Sequence, residues 1–128
     1  MTMRHSIDTA RISGPERDAD GPAVFEFRFA ADDPTFAGHF PGHPILPGAF
    51  QLEMARAAAE WTLNCPLSVR EVSRAKFMRP ISPDETVRLE LKWSEAEGSI
   101  QARATLSVAG RPAGEASLRL CRSASKNG

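Results

Sequence analysis

Several features are missing from this chain of 128 residues, and each absence narrows what it can be. It has only two cysteines, Cys65 and Cys121, far apart and in no paired motif. That excludes a disulfide framework and a cysteine-rich zinc site, and both are read as reduced packing residues. Lys plus Arg total 16 and Asp plus Glu total 16, so no net field draws the protein to nucleic acid or to a membrane. No stretch approaches the roughly 20 apolar residues of a membrane-spanning helix. Met1 to Gly14 lacks an apolar segment flanked by positive charge and does not read as a signal peptide, so a cytoplasmic setting is expected. Tyrosine is absent altogether, and nothing about function follows from that.

What is present is the composition of one ordinary globular domain, 41% hydrophobic and 25% charged. The first twenty residues form a polar leader broken by Gly14 and Pro15, with Ile7 and Ile12 as weak strand markers. From Val24 to Ala30 the chain alternates, with Phe25, Phe27 and Phe29 on one side and Glu26 and Arg28 on the other. That period of two predicts a half-buried strand. A loop from Asp32 to Gly48 follows, holding Pro34, Pro41, Pro44 and Pro47, which cannot join a sheet ladder.

Gly48 to Leu63 has no proline and is rich in Ala, Leu, Met, Glu and Gln, which predicts a helix. Phe50, Met54, Ala57 and Trp61 recur at helical spacing, and alanines fill much of the rest. A helix apolar nearly all round belongs inside the fold. Beyond Pro66 the segments Val72–Met78, Thr86–Trp93, Ile100–Val108 and Ala116–Leu120 read as strands. Short turns at Glu97-Gly98 and Gly110 to Gly114 make them an antiparallel meander with one dry face. The fold class is α+β, a single domain over 1–128 whose antiparallel sheet curls around one long helix. Residues 123–128 are expected to be a disordered tail.

The chemistry concentrates in residues 36–53. His39 in a Pro/Gly loop is unremarkable by itself, since such a residue is usually solvated. Glu53 lies in the second turn of an apolar helix, where carboxylates are rare unless paired or used. It serves either chemistry or a plain role, meeting the helix dipole or pairing with Arg56 one turn on. Gly48 falls at the helix start, where unpaired N–H groups form an oxyanion site that a glycine leaves open. A base, an acid and an oxyanion donor in one short segment suit proton abstraction next to a carbonyl.

This run resembles the signature of the hot-dog-fold 3-hydroxyacyl-[acyl carrier protein] dehydratases. In that family a Gly-His-Phe-Pro-Gly loop, here Gly38 to Gly42, leads through Pro-x-x-Pro-Gly, here Pro44 to Gly48, into the central helix. The family's catalytic Glu stands fourteen positions after its His, and 53 − 39 = 14. Lys76-Phe77-Met78-Arg79-Pro80-Ile81-Ser82-Pro83-Asp84 is similar to a second family run, and the likeness spans roughly residues 24–121.

The resemblance implies a hot-dog fold and loss of water from a 3-hydroxyacyl thioester, with no cofactor and no metal. His39 would take the α-proton, and Glu53, protonated in apolar surroundings, would help the β-hydroxyl leave. Gly48 would stabilise the thioester oxygen, with Phe40, Pro47 and Ala49 lining the substrate site. It also implies a homodimer that places His39 of one subunit against Glu53 of the other, and an acyl carrier protein as partner. Arg74, Lys76 and Arg79 are either a solvated strand edge or a basic patch that docks this acidic carrier.

The chain departs from the family pattern in three places. The usual N-terminal helix is expected to be missing, a shortened front end more like dehydratases of specialised lipid or aryl polyene clusters. Ala57 replaces a glutamine. Arg56 is the third departure: it can reach Glu53 or Glu60, and pairing with Glu60 would leave Glu53 free. His43 is given a solvated or supporting role. The competing functions are a hot-dog thioesterase and a non-catalytic acyl-binding subunit, since the fold alone does not decide between them.

Overall fold

A computed structural model describes residues 2–36 and 44–123. The chain begins with helix α1 (Met3–Ala10), then strands β1 (Arg11–Glu16) and β2 (Ala23–Arg28) and a short 3-10 turn over Pro34–Phe36. Helix α2 (Gly48–Leu63) follows, and then β3 (Leu67–Phe77), β4 (Thr86–Ala96), β5 (Ser99–Val108) and β6 (Arg111–Arg122). The strands form one antiparallel six-stranded sheet in the order β1-β2-β4-β5-β6-β3.

Alternation places the core. Phe25 and Phe27 of β2, Val87, Leu89 and Leu91 of β4, and Ile100, Ala104 and Leu106 of β5 are all buried on the face toward α2. Their neighbours Arg88, Lys92 and Arg103 stand in solvent on the other face. Helix α2 lays Met54, Ala55, Ala57, Ala58 and Ala59 into this surface. Its alanines let the helix sit close, and the large side chains come from the sheet. Trp61 completes the contact, with its ring centroid 5.8 Å from Phe25 and 6.2 Å from Phe27. Phe27→Ala is therefore expected to cost about 3–5 kcal/mol of stability, measured by denaturant unfolding.

The expected helix is present and so is the Phe25–Phe27 strand face, with β2 ending at Arg28 and Phe29 buried just beyond it, but four further expectations need correction. The polar leader is structured: α1 is capped by the Thr2 side chain, which accepts from His5 N at 3.1 Å, and Ile7 is fully buried. Ile7 thus marks a helix, not a strand, and the N-terminal helix expected to be missing is there. Only Ile12 lies on a strand, exposed. The turn before β6 is Ala109-Gly110 alone, with φ of 52° and 79°, the same pair of left-handed residues as Glu97-Gly98 at 52° and 79°. Arg111 to Gly114 belong to β6, where a register shift between Leu106 and Ser107 absorbs the extra residue. Helix α2 is not apolar all round, because Glu53, Arg56 and Glu60 form a half-buried polar stripe.

The fourth correction is β3. It begins at Leu67, five residues before Val72, and shows no dry face: Val69, Val72 and Phe77 are each more than 40% exposed. The strand lies at the sheet's margin, with β6 on one side only. The expected tail beyond Ser123 lies outside the described residues. Cys65 and Cys121 are free, as expected, and Cys121 Sγ accepts from Arg70 Nε at 2.8 Å.

Candidate active site

The described part of the loop is pinned at both ends. Asp33 Oδ1 accepts from Thr35 N at 2.8 Å and from Ser6 Oγ of α1 at 3.1 Å, and Phe36 is buried. At the far end Leu46 N donates to Ile81 O at 2.8 Å, which locks the approach to α2. His39, Phe40 and His43 lie outside the described residues. So does the relation of His39 to Glu53.

Helix α2 starts where the sequence indicates. Pro47 is its N-cap, extended at φ −61° and ψ 146°, and offers no side-chain oxygen to the first turn. The N–H groups of Gly48 and Ala49 have no hydrogen-bond partner among the described residues. Gly48 has a further reason to be glycine: a Cβ there would come 2.7 Å from Cε2 of Phe77. The Phe77 ring, half exposed, thus covers the helix start from the end of β3. Pro47 is half-buried and Ala49 exposed beside it.

Glu53 is one-fifth exposed and is not in an apolar setting. Arg56 Nε donates to Glu53 Oε2 at 3.0 Å and Nη2 donates to Oε1, a two-toothed ion pair. Arg56 Nη1 donates to Glu60 Oε2 at 2.9 Å as well. The expected choice of Glu60, leaving Glu53 free, is therefore wrong: the guanidinium has enough donors for both. Hydrogen bonding to Glu53 holds the Arg56 guanidinium even further above its ordinary pKa, against the opposing effect of burial.

The three basic residues of the expected docking patch differ. Arg74 pairs with Glu115 at 2.9 Å and Arg79 with Glu85 at 3.0 Å. Burial works against the Glu85 carboxylate, but the Ser82 N–H and Arg79 hold its pKa below the ordinary value. Only Lys76 of the three has no ion-pair partner among the described residues. One residue was invisible to sequence reasoning. Gln51 is buried against Gly114, which has no Cβ to displace it, and its Oε1 has no hydrogen-bond partner among the described residues. A glutamine in a helix carries no sequence signal of this. Among the described residues no three His, Cys, Asp or Glu side chains gather into a metal site.

Comparison with known proteins identifies the family. A profile of ApeI-like proteins, described as ApeI dehydratase, matches residues 15–111. The chain belongs to the ApeI-like dehydratase family. The 3-hydroxyacyl-[acyl-carrier-protein] dehydratase FabZ of Chloroflexus aggregans is 39% identical over 106 residues, covering 75% of this chain and 72% of that protein. The dehydratase heterocomplex ApeI:P of Xenorhabdus doucetiae superposes with a TM-score of 0.76 at 26% identity, covering 88% of this chain and 96% of that one. A hypothetical thioesterase of Streptococcus pneumoniae, solved with coenzyme A, shares the fold with a TM-score of 0.69 at 10% identity over 94% of each chain. This ApeI-like protein is thus a hot-dog dehydratase, a hydro-lyase, as the loop and helix motif implied. No helix among the described residues is long and apolar enough to cross a membrane.

Proposed function

We propose that this ApeI-like dehydratase removes water from a 3-hydroxyacyl thioester borne on an acyl carrier protein in the cytoplasm, leaving a trans-2-enoyl thioester. The observation that carries the site assignment is the uncapped start of α2. Two N–H groups without a partner among the described residues, at Gly48 and Ala49, precede Glu53 on the same helix by little more than one turn. Preorganised donors of this kind stabilise the charge that develops on a thioester oxygen when its α-proton is removed. His39 takes that proton and returns it to the β-hydroxyl oxygen, which leaves as water as the C–O bond breaks, while Glu53 accepts the hydroxyl's own hydrogen and orients it. Phe40, Pro47 and Ala49 line the approach. The steps draw on the chain's own side chains and backbone.

The exposed apolar side chains of β3, interleaved with Arg70, Glu71, Arg74 and Lys76, support a two-fold pairing of protomers. Val69, Val72, Phe77 and Met78 stand exposed along it, an arrangement that invites another strand. The opposite margin, β1, is a poor template, because Gly14 and Pro15 interrupt it and its register with β2 shifts twice. Pairing through β3 also covers Phe77, and so brings the second protomer to the helix start.

Product analysis by mass tests the reaction. Incubation with a short 3-hydroxyacyl thioester is expected to give a species lighter by one water. Free acid would mean a thioesterase, and no conversion a non-catalytic subunit. The same assay reads docking to the carrier. Lys76, with no ion-pair partner among the described residues, is expected to contribute more than Arg74 or Arg79. Lys76→Ala should raise KM for the carrier-borne substrate, leave a short thioester unaffected, and mimic the effect of added salt. Equal effects on both substrates would remove the docking role.

A further inference from the structure

The guanidinium that grips Glu53 is itself held by β3, and its partner Glu60 is held by α1. Besides Glu53 and Glu60, Arg56 Nη1 donates to the carbonyl of Leu67, the first residue of β3, at 3.0 Å. Glu60 Oε2 accepts the Leu67 N–H at 2.8 Å, and Glu60 Oε1 accepts Arg4 Nη1 of α1 at 2.5 Å. Both backbone groups of Leu67 therefore close on the Arg56–Glu60 pair from the sheet, while Arg4 of α1 bonds Glu60.

We propose that Arg56 is a positioning residue for the dehydration, setting the rotamer and plane of the Glu53 carboxylate that meets the departing hydroxyl. The inference rests on the role proposed above for Glu53. The tie between α1, α2 and β3 does not need the contact with Glu53, because Glu60 already bonds Arg4 and Leu67 by itself. The fork on Glu53 is an additional commitment of Arg56, using two of its nitrogens. A planar fork fixes both the position and the plane of a carboxylate, which a lysine ammonium cannot do. Each Glu53 oxygen keeps a lone pair outside the fork, enough to accept a hydrogen from the substrate hydroxyl. A displacement of about 1 Å in a group of this kind costs about 10²-fold in rate.

Steady-state kinetics on Arg56→Lys, Arg56→Ala and Glu53→Gln tests this. Arg56→Lys, which keeps the charge and loses the fork, is expected to lower kcat by about 10–10²-fold with KM unchanged. Methylguanidinium added to Arg56→Ala should restore part of kcat, and should do nothing for Glu53→Gln. If Arg56→Ala does not fold, the double variant Glu53→Gln/Arg56→Lys decides: it should be no slower than Glu53→Gln alone, because Arg56 acts through Glu53. Wild-type kcat in Arg56→Lys, alongside an impaired Glu53→Gln, would overturn the proposal and leave Glu53 its role. Wild-type turnover in Glu53→Gln would instead overturn the role of Glu53, and the proposal with it.

Discussion

His39→Ala is expected to lower the rate of dehydration by about 10²–10⁴-fold, the range that a positioned general base contributes. The α-hydrogen of a thioester is weakly acidic, and without a base its removal falls to solvent. In sequence the residue falls between two anchors, Asp33 tied to Ser6 and Leu46 tied to Ile81, neither of which involves it. The unfolding midpoint should therefore remain that of the wild type. Loss of rate together with an unchanged melting curve is the expected pair of results. A variant that dehydrates at near wild-type rate would show that another group is the base.

Glu53→Gln is expected to fall by a similar factor, because the amide keeps the shape but brings donor hydrogens where the carboxylate had only acceptors. It also leaves the Arg56 fork facing an amide nitrogen, which turns one of the two guanidinium bonds into a clash of donors. If the active site is composite, His39→Ala and Glu53→Gln are complementary defects. Mixing the two under conditions that let protomers exchange should give mixed dimers with one intact site of two. About half of randomly paired dimers are mixed, so activity should recover to roughly a quarter of wild type. The experiment begins by establishing by light scattering that the chain alone forms a dimer, since the Xenorhabdus relative is a heterocomplex. A mixture that stays inactive after demonstrated exchange would place both residues in one chain.

The sequence by itself determined the elements whose signals are local and periodic. The alternation at Phe25, Phe27 and Phe29 and the proline-free run from Gly48 to Leu63 each state a period over several turns or pleats. The run from Gly38 to Glu53 implied the reaction before any geometry was known, through its resemblance to the dehydratase signature. Tertiary structure decided the rest. Helix α1 spans eight residues and buries only Ile7, Ala10 and the small Ser6, too little apolar surface for a periodic signal. Its stability comes from packing and from Arg4, which stacks 5.1 Å over Trp61 and bonds Glu60, contacts that exist only once α2 is in place. The exposure of β3 follows from its place at the margin of the sheet, and strand order is not written in a strand's own residues. Arg56 could reach Glu53 at i−3 or Glu60 at i+4 by helix geometry alone. It takes both because Leu67 arrives from β3 to bond Arg56 and Glu60 together, and that meeting depends on how the sheet closes over the helix.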